Sequence, residues 1–156
     1  MSDYTGPGLY EILPIYAQTM SLNVWGNEKT AGTAVKLYNR TADAKNTHWE
    51  IVAAGGVNAK PESGDREYHI IAANSGLYLA MNTRENSGVT VELRAPLDPT
   101  IRWKLAYCRN GAFCINNVNN QKQLNVNGGA KAVGTEIISY DMSPTSENTQ
   151  FVLKAV

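Results

Sequence analysis

Three stretches of the chain end alike: NTHWEI at 46–51, TIRWKL at 100–105 and NTQFVL at 148–153. Each is preceded by the same anchors. The first copy runs Tyr10-x-Ile12, Leu22, Gly32-x-x-Val35, Trp49. The second runs Tyr68-x-Ile70, Leu79, Gly88-x-x-Val91, Trp103. The third runs Phe113-x-Ile115, Leu124, Gly134-x-x-Ile137, Phe151. The aromatic-to-Leu spacing is 12, 11 and 11, and the Leu-to-Gly spacing 10, 9 and 10. Five matched positions in three copies define an internal triplication. Such a repeat constrains the fold strongly, because each unit can bury its apolar face only against its siblings.

Within each unit the pattern is that of short strands. LYEIL, EYHII and AFCIN are rich in β-formers. SLNVW, LYLAM and QLNVN alternate apolar and polar residues, as do TAVKLY, VTVELR and TEIISY; HWEIV, RWKLA and QFVLK close the units. Turns between them carry Gly, Asn and Ser, as at Gly26-Asn27, Asn74-Ser75-Gly76 and Asn127-Gly128-Gly129. No window shows a capped 3.6-residue period. The reading is all-β: three four-stranded repeats, at about 8–55, 65–107 and 110–156, arranged with pseudo-threefold symmetry as a β-trefoil that fills residues 1–156 as a single domain. Closure of such a barrel removes exposed strand edges.

Composition excludes several function classes. Charged residues are 18% of the chain and the net charge is zero, so the clustered Lys and Arg that a nucleic-acid or anionic-membrane partner needs are missing. No apolar run approaches the ~20 residues that span a bilayer. The stretch MSDYTGPG has neither a basic nor an apolar leader region, so a cytoplasmic location is expected. Cys108 and Cys114 are read as reduced thiols, a short-loop bridge being the lesser alternative. Two histidines, His48 and His69, offer no metal-ligand spacing. No phosphate-binding Gly loop precedes a helix, and no carboxylate pair is signalled. Neither catalysis, a metal nor a cofactor is expected.

Features shared by the copies are most simply scaffold, so function is sought where the copies differ. Leu22 and Val24 should point inward, which turns Asn23 and Trp25 outward. The positions equivalent to Trp25 are Asn82 and Asn127. Three residues beyond the β-branched anchor stand Tyr38, Arg94 and Tyr140; five beyond stand Arg40, Pro96 and Met142; three before the closing aromatic stand Asn46, Thr100 and Asn148. The first copy therefore gathers Trp25, Tyr38, Arg40 and Asn46, with Gly26 and Asn27 in the adjoining turn and His48 at the edge. The third copy keeps Asn125, Asn127, Tyr140, Asp141 and Asn148 as a weaker second set without an aromatic at the Trp25 position. An indole beside amides, a guanidinium and a phenol suits a sugar: the C–H face of a galactose-like ring stacks on the aromatic, and its vicinal hydroxyls pair with the polar forks.

GLYEILP, SLNVWG, GTAVKLYNR and the Asn-x-x-Trp at 46–49 are similar to the first repeat of fungal ricin-B-type β-trefoil lectins, most strongly over residues 8–52. The Gln-x-Trp-like repeat ending of that family is degenerate here, reading Thr47-His48-Trp49, Ile101-Arg102-Trp103 and Gln150-Phe151. The resemblance implies a galactose/N-acetylgalactosamine site at Trp25, Gly26, Tyr38, Arg40 and Asn46, a homodimer, and a role in defence. Glycans on glycoproteins or glycolipids are the expected partners. The competing reading is a β-trefoil protease inhibitor acting through loops such as Gly6-Pro7-Gly8 or Lys60-Pro61-Glu62.

Overall fold

A computed structural model describes residues 1–55, 66–82, 84, 87–119 and 122–156; the loop candidate Lys60-Pro61-Glu62 lies outside them. Among the described residues twelve strands follow one another: β1 Gly8–Pro14, β2 Met20–Val24, β3 Thr33–Asn39, β4 His48–Gly55, β5 Glu67–Ala72, β6 Tyr78–Ala80, β7 Thr90–Glu92, β8 Trp103–Tyr107, β9 Phe113–Asn117, β10 Gln123–Val126, β11 Ile137–Tyr140 and β12 Phe151–Ala155. Each lies on one of the strand segments read from the sequence, four to a repeat, and the all-β reading holds.

Six strands, the first and fourth of each repeat, close a ring. β1 pairs with β4, β4 with β5, β5 with β8, β8 with β9, β9 with β12 and β12 with β1, all antiparallel. The second and third strands of each repeat form a hairpin above that ring. The three hairpins meet one another: Thr33 opposes Val91, Lys36 bridges Glu136, and Gly88 bridges Ile138. Ring and cap together give the β-trefoil its closed topology.

The shared anchors fill the interior. Ile12, Ile70, Leu22, Leu79, Leu124, Trp49, Trp103 and Phe151 have no exposed surface. Trp49 Nε1 donates to the Leu22 carbonyl at 3.1 Å and Trp103 Nε1 to that of Leu79 at 2.9 Å. The closing aromatic thus ties the fourth strand of its repeat to the second, and a buried indole N–H finds the partner it needs.

The open end of the ring is stoppered by a residue outside the repeats. The Tyr4 ring lies 5.3 Å from Tyr10, 6.3 Å from Tyr68 and 5.4 Å from Phe113, centroid to centroid. Those three are the opening aromatics of the three repeats. The segment carrying Tyr4 is held by Ser2 N–H to the Gly111 carbonyl at 2.9 Å and Asp3 N–H to that of Leu153 at 2.7 Å.

Candidate functional site

The first lobe carries a cleft of about 380 Å³ lined by Asn23, Trp25, Gly26, Asn27, Tyr38 and Asn46. Its walls follow from strand pairing. β2 runs against β3 with Ser21 opposite Tyr38 and Asn23 opposite Lys36, so these side chains share the face away from the core. At the end of β2 the chain enters a tight turn at Trp25–Asn27. Gly26 and Asn27 take φ of 66° and 56° there, the left-handed region that Gly and Asn tolerate best. The turn sets the indole edge-on to Tyr38, with ring centroids 6.3 Å apart and planes at 72°. Lys36 Nζ stands 5.0 Å from the centre of the Trp25 ring. The remaining wall is the turn Lys45–Thr47, fastened by Asn46 Nδ2 donating to the Val24 carbonyl at 3.2 Å.

Asn23 is the residue that sequence reasoning missed. It is almost fully buried, yet it lines the cleft. Its equivalent, Asn125, stands in the third-lobe set, so the repeat symmetry already held the signal.

Two expected members are placed elsewhere. Arg40 does not line the cleft. Its Nε and Nη2 donate to Glu11 Oε2 at 3.0 and 2.7 Å, and the Glu11 side chain is only 4% exposed. A buried carboxylate needs a cation, and the guanidinium at the end of β3 supplies it. The bond to Glu11 raises the Arg40 pKa further. His48 is buried, with Nε2 2.7 Å from the Ala42 carbonyl. The equivalent residues do the same: Arg102 Nη1 donates to the Pro96 carbonyl at 2.9 Å and Gln150 Nε2 to that of Pro144 at 2.6 Å. Three different side chains thus fasten a loop from the same place, six residues on from its carbonyl. His48 belongs to that scaffold.

The third lobe has its own cleft, about 400 Å³, lined by Tyr16, Gly128, Gly129, Ser146, Glu147 and Asn148. Of the five residues expected there, only Asn148 lines it. Its Nδ2 donates to the Val126 carbonyl at 3.2 Å, as Asn46 does to Val24, and to Asn125 Oδ1 at 3.1 Å. Asn125 is therefore a buried support. Asn127 opens the Gly128-Gly129 turn, Tyr140 lies in β11, and Asp141 pairs with Lys122. The aromatic surface comes from Tyr16, in the loop between β1 and β2. Its hydroxyl donates to the Ala130 carbonyl at 2.6 Å, so the first lobe lends a ring to the third.

The first cleft presents an aromatic wall, the side-chain amides of Asn23, Asn27 and Asn46, and a glycine turn. Its six lining residues carry no carboxylate, imidazole or thiol. Such a surface can stack and hydrogen-bond a neutral polyhydroxy ligand; it holds no acid–base pair.

Residues 57–140 match the family model described as a ricin-type β-trefoil lectin domain-like domain. The chain belongs to the ricin-type β-trefoil lectin family. Among its relatives is the agglutinin of Sclerotinia sclerotiorum, 29% identical over 97% of this chain and 98% of that protein. The designed threefold-symmetric protein ThreeFoil superposes with a TM-score of 0.79 at 20% identity, covering 94% of this chain and 97% of the other. The Macrolepiota procera ricin B-like lectin, solved in complex with lactose, superposes with a TM-score of 0.75 at 14% identity, covering 99% of this chain and all of that one. These two structures share the trefoil.

Proposed function

We propose that this member of the lectin family is a non-catalytic agglutinin that takes terminal galactose or N-acetylgalactosamine in the first-lobe cleft. The observation that carries the reading is one cleft lined by the Trp25–Tyr38 ring pair together with the amides of Asn23 and Asn46. The C–H face of the sugar stacks on the indole, and its vicinal hydroxyls pair with the amides. The relation to an agglutinin and the galactoside lactose held by a lectin of the same fold support the choice of ligand. The third-lobe cleft is a second, weaker site built on Asn148 and Tyr16. One shallow site binds on the order of 0.01–1 mM, so agglutination rests on two sites held together, in a homodimer or in one chain. We place the protein in the cytoplasm, with a defensive role against organisms that display such glycans.

A glycan array with the native protein, Trp25→Ala and Asn46→Ala tests the reading. Terminal galactosides are the expected ligands, and each substitution should weaken binding at least about tenfold, or ~1.4 kcal/mol, with the fold intact. Unchanged profiles would move the site elsewhere. Gel filtration that gives a monomer, together with agglutination lost on Asn148→Ala, would move bivalency from a dimer to the single chain.

A further inference from the structure

The hairpin of β8 and β9 brings the two cysteines together, Cys108 half-buried and Cys114 buried. Cys114 lies in β9 opposite Ala106. Cys108 follows β8, its N–H donating to the Ala112 carbonyl at 2.9 Å. The two Sγ atoms stand 3.3 Å apart and both thiols are free. They line a third cleft, of about 570 Å³, which shares Glu147 with the third-lobe cleft and is of a size that holds a small molecule. Its lining includes the amides of Asn110, Asn116, Gln123 and Gln150 beside Tyr107 and Met142. Gln123 Oε1 accepts from the Ser143 N–H, and Gln150 bonds both Asn110 and the Pro144 carbonyl. Asn116 Oδ1 is buried without a hydrogen-bond partner.

We propose that this cleft is a thiol–disulfide exchange site that takes a small peptide disulfide, such as oxidised glutathione, and stores its oxidising equivalents as a Cys108–Cys114 bridge. The half-buried Cys108 attacks first. Its thiolate forms a bond to one sulfur of the disulfide, whose S–S bond breaks, and the departing thiolate takes up a proton. Cys114 then gives up its proton and attacks Cys108 Sγ, which releases the second thiol. Two protein thiols lose two electrons, and one disulfide becomes two thiols. Burial pushes the Cys114 thiol up to about 12, so it stays protonated while Cys108 makes the first attack. Closure needs the two sulfurs to approach by about an ångström, from contact to the ~2.05 Å of the bond.

The full chain, incubated natively with oxidised glutathione, quenched in acid and weighed by intact mass spectrometry, decides the matter. The native protein should lose two hydrogens and accumulate little adduct. Cys114→Ser, and Cys114→Ala as a second variant, should trap one glutathione on Cys108, while Cys108→Ser stays unmodified. A native protein that keeps both thiols free to an alkylating agent after this treatment overturns the proposal, whatever the variants do. So does a glutathione adduct on Cys114 in the Cys108→Ser protein. Galactoside binding measured on the same samples reports on the lectin sites alone, so failure of one reading leaves the other standing.

Discussion

Arg94 Nη1 donates to Thr100 Oγ1 at 2.6 Å and to the Met81 carbonyl at 3.1 Å. Met81 is the second-repeat equivalent of Val24 and Val126, whose carbonyls accept from Asn46 and Asn148. Thr100 stands where those asparagines stand. In the second lobe the arginine therefore performs the asparagine's structural task from the opposite wall, at the position that holds Tyr38 and Tyr140 in the other lobes. The loss of the middle asparagine is thus an exchange of roles within one lobe.

Arg94→Ala should leave the Met81 carbonyl and the Thr100 hydroxyl without that donor. The expected cost is about 1–2 kcal/mol in urea unfolding, with galactoside binding unchanged because the second lobe has no part in the proposed sites.

Asp98 carries a pH signature. Thr100 donates to its Oδ1 through the hydroxyl at 2.6 Å and the backbone at 2.9 Å. These bonds hold its carboxyl below the usual carboxylate range, the side-chain bond contributing most. A carboxyl depressed by folding contributes stability above its unfolded value of about 4, and that contribution disappears as pH falls through the folded value. Unfolding midpoints from pH 7 downward should fall less steeply below about pH 4 for Asp98→Asn than for the native protein.

Arg40→Ala separates the sequence expectation from the structure. If the guanidinium serves Glu11, its removal leaves a buried carboxylate uncompensated and should cost about 2 kcal/mol, below the full penalty for a buried pair because Arg40 itself is 39% exposed. Galactoside affinity measured by calorimetry should stay within about twofold of native. A loss of affinity without a loss of stability would return Arg40 to the site.

Asn23→Ala should weaken galactoside binding by about three- to tenfold, as expected for a lost hydrogen bond to a ligand. Calorimetric titration alongside a thermal melt separates that loss from any effect on β2.

Tyr4→Ala should remove the ring that all three opening aromatics pack against. A cost of about 2–3 kcal/mol in denaturant unfolding is expected, below that of a fully buried aromatic-to-alanine change because Tyr4 is only half-buried. Tyr4→Phe keeps the ring and should retain most of the stability.

The sequence by itself determined the trefoil, its twelve strands, the inward anchors and the place of the Trp25 cleft. These follow from the period of two along a strand and from the threefold recurrence of residues that must be buried, and both are local or repeating properties. What only the tertiary structure decided was partnership. Glu11, 29 residues before Arg40, claims the guanidinium; Tyr16 reaches Ala130, 114 residues on, to give the third lobe its aromatic ring; and Tyr4 meets one residue from every repeat. A long polar or aromatic side chain goes to whichever partner the fold brings within reach, and that choice is written in the packing of distant segments.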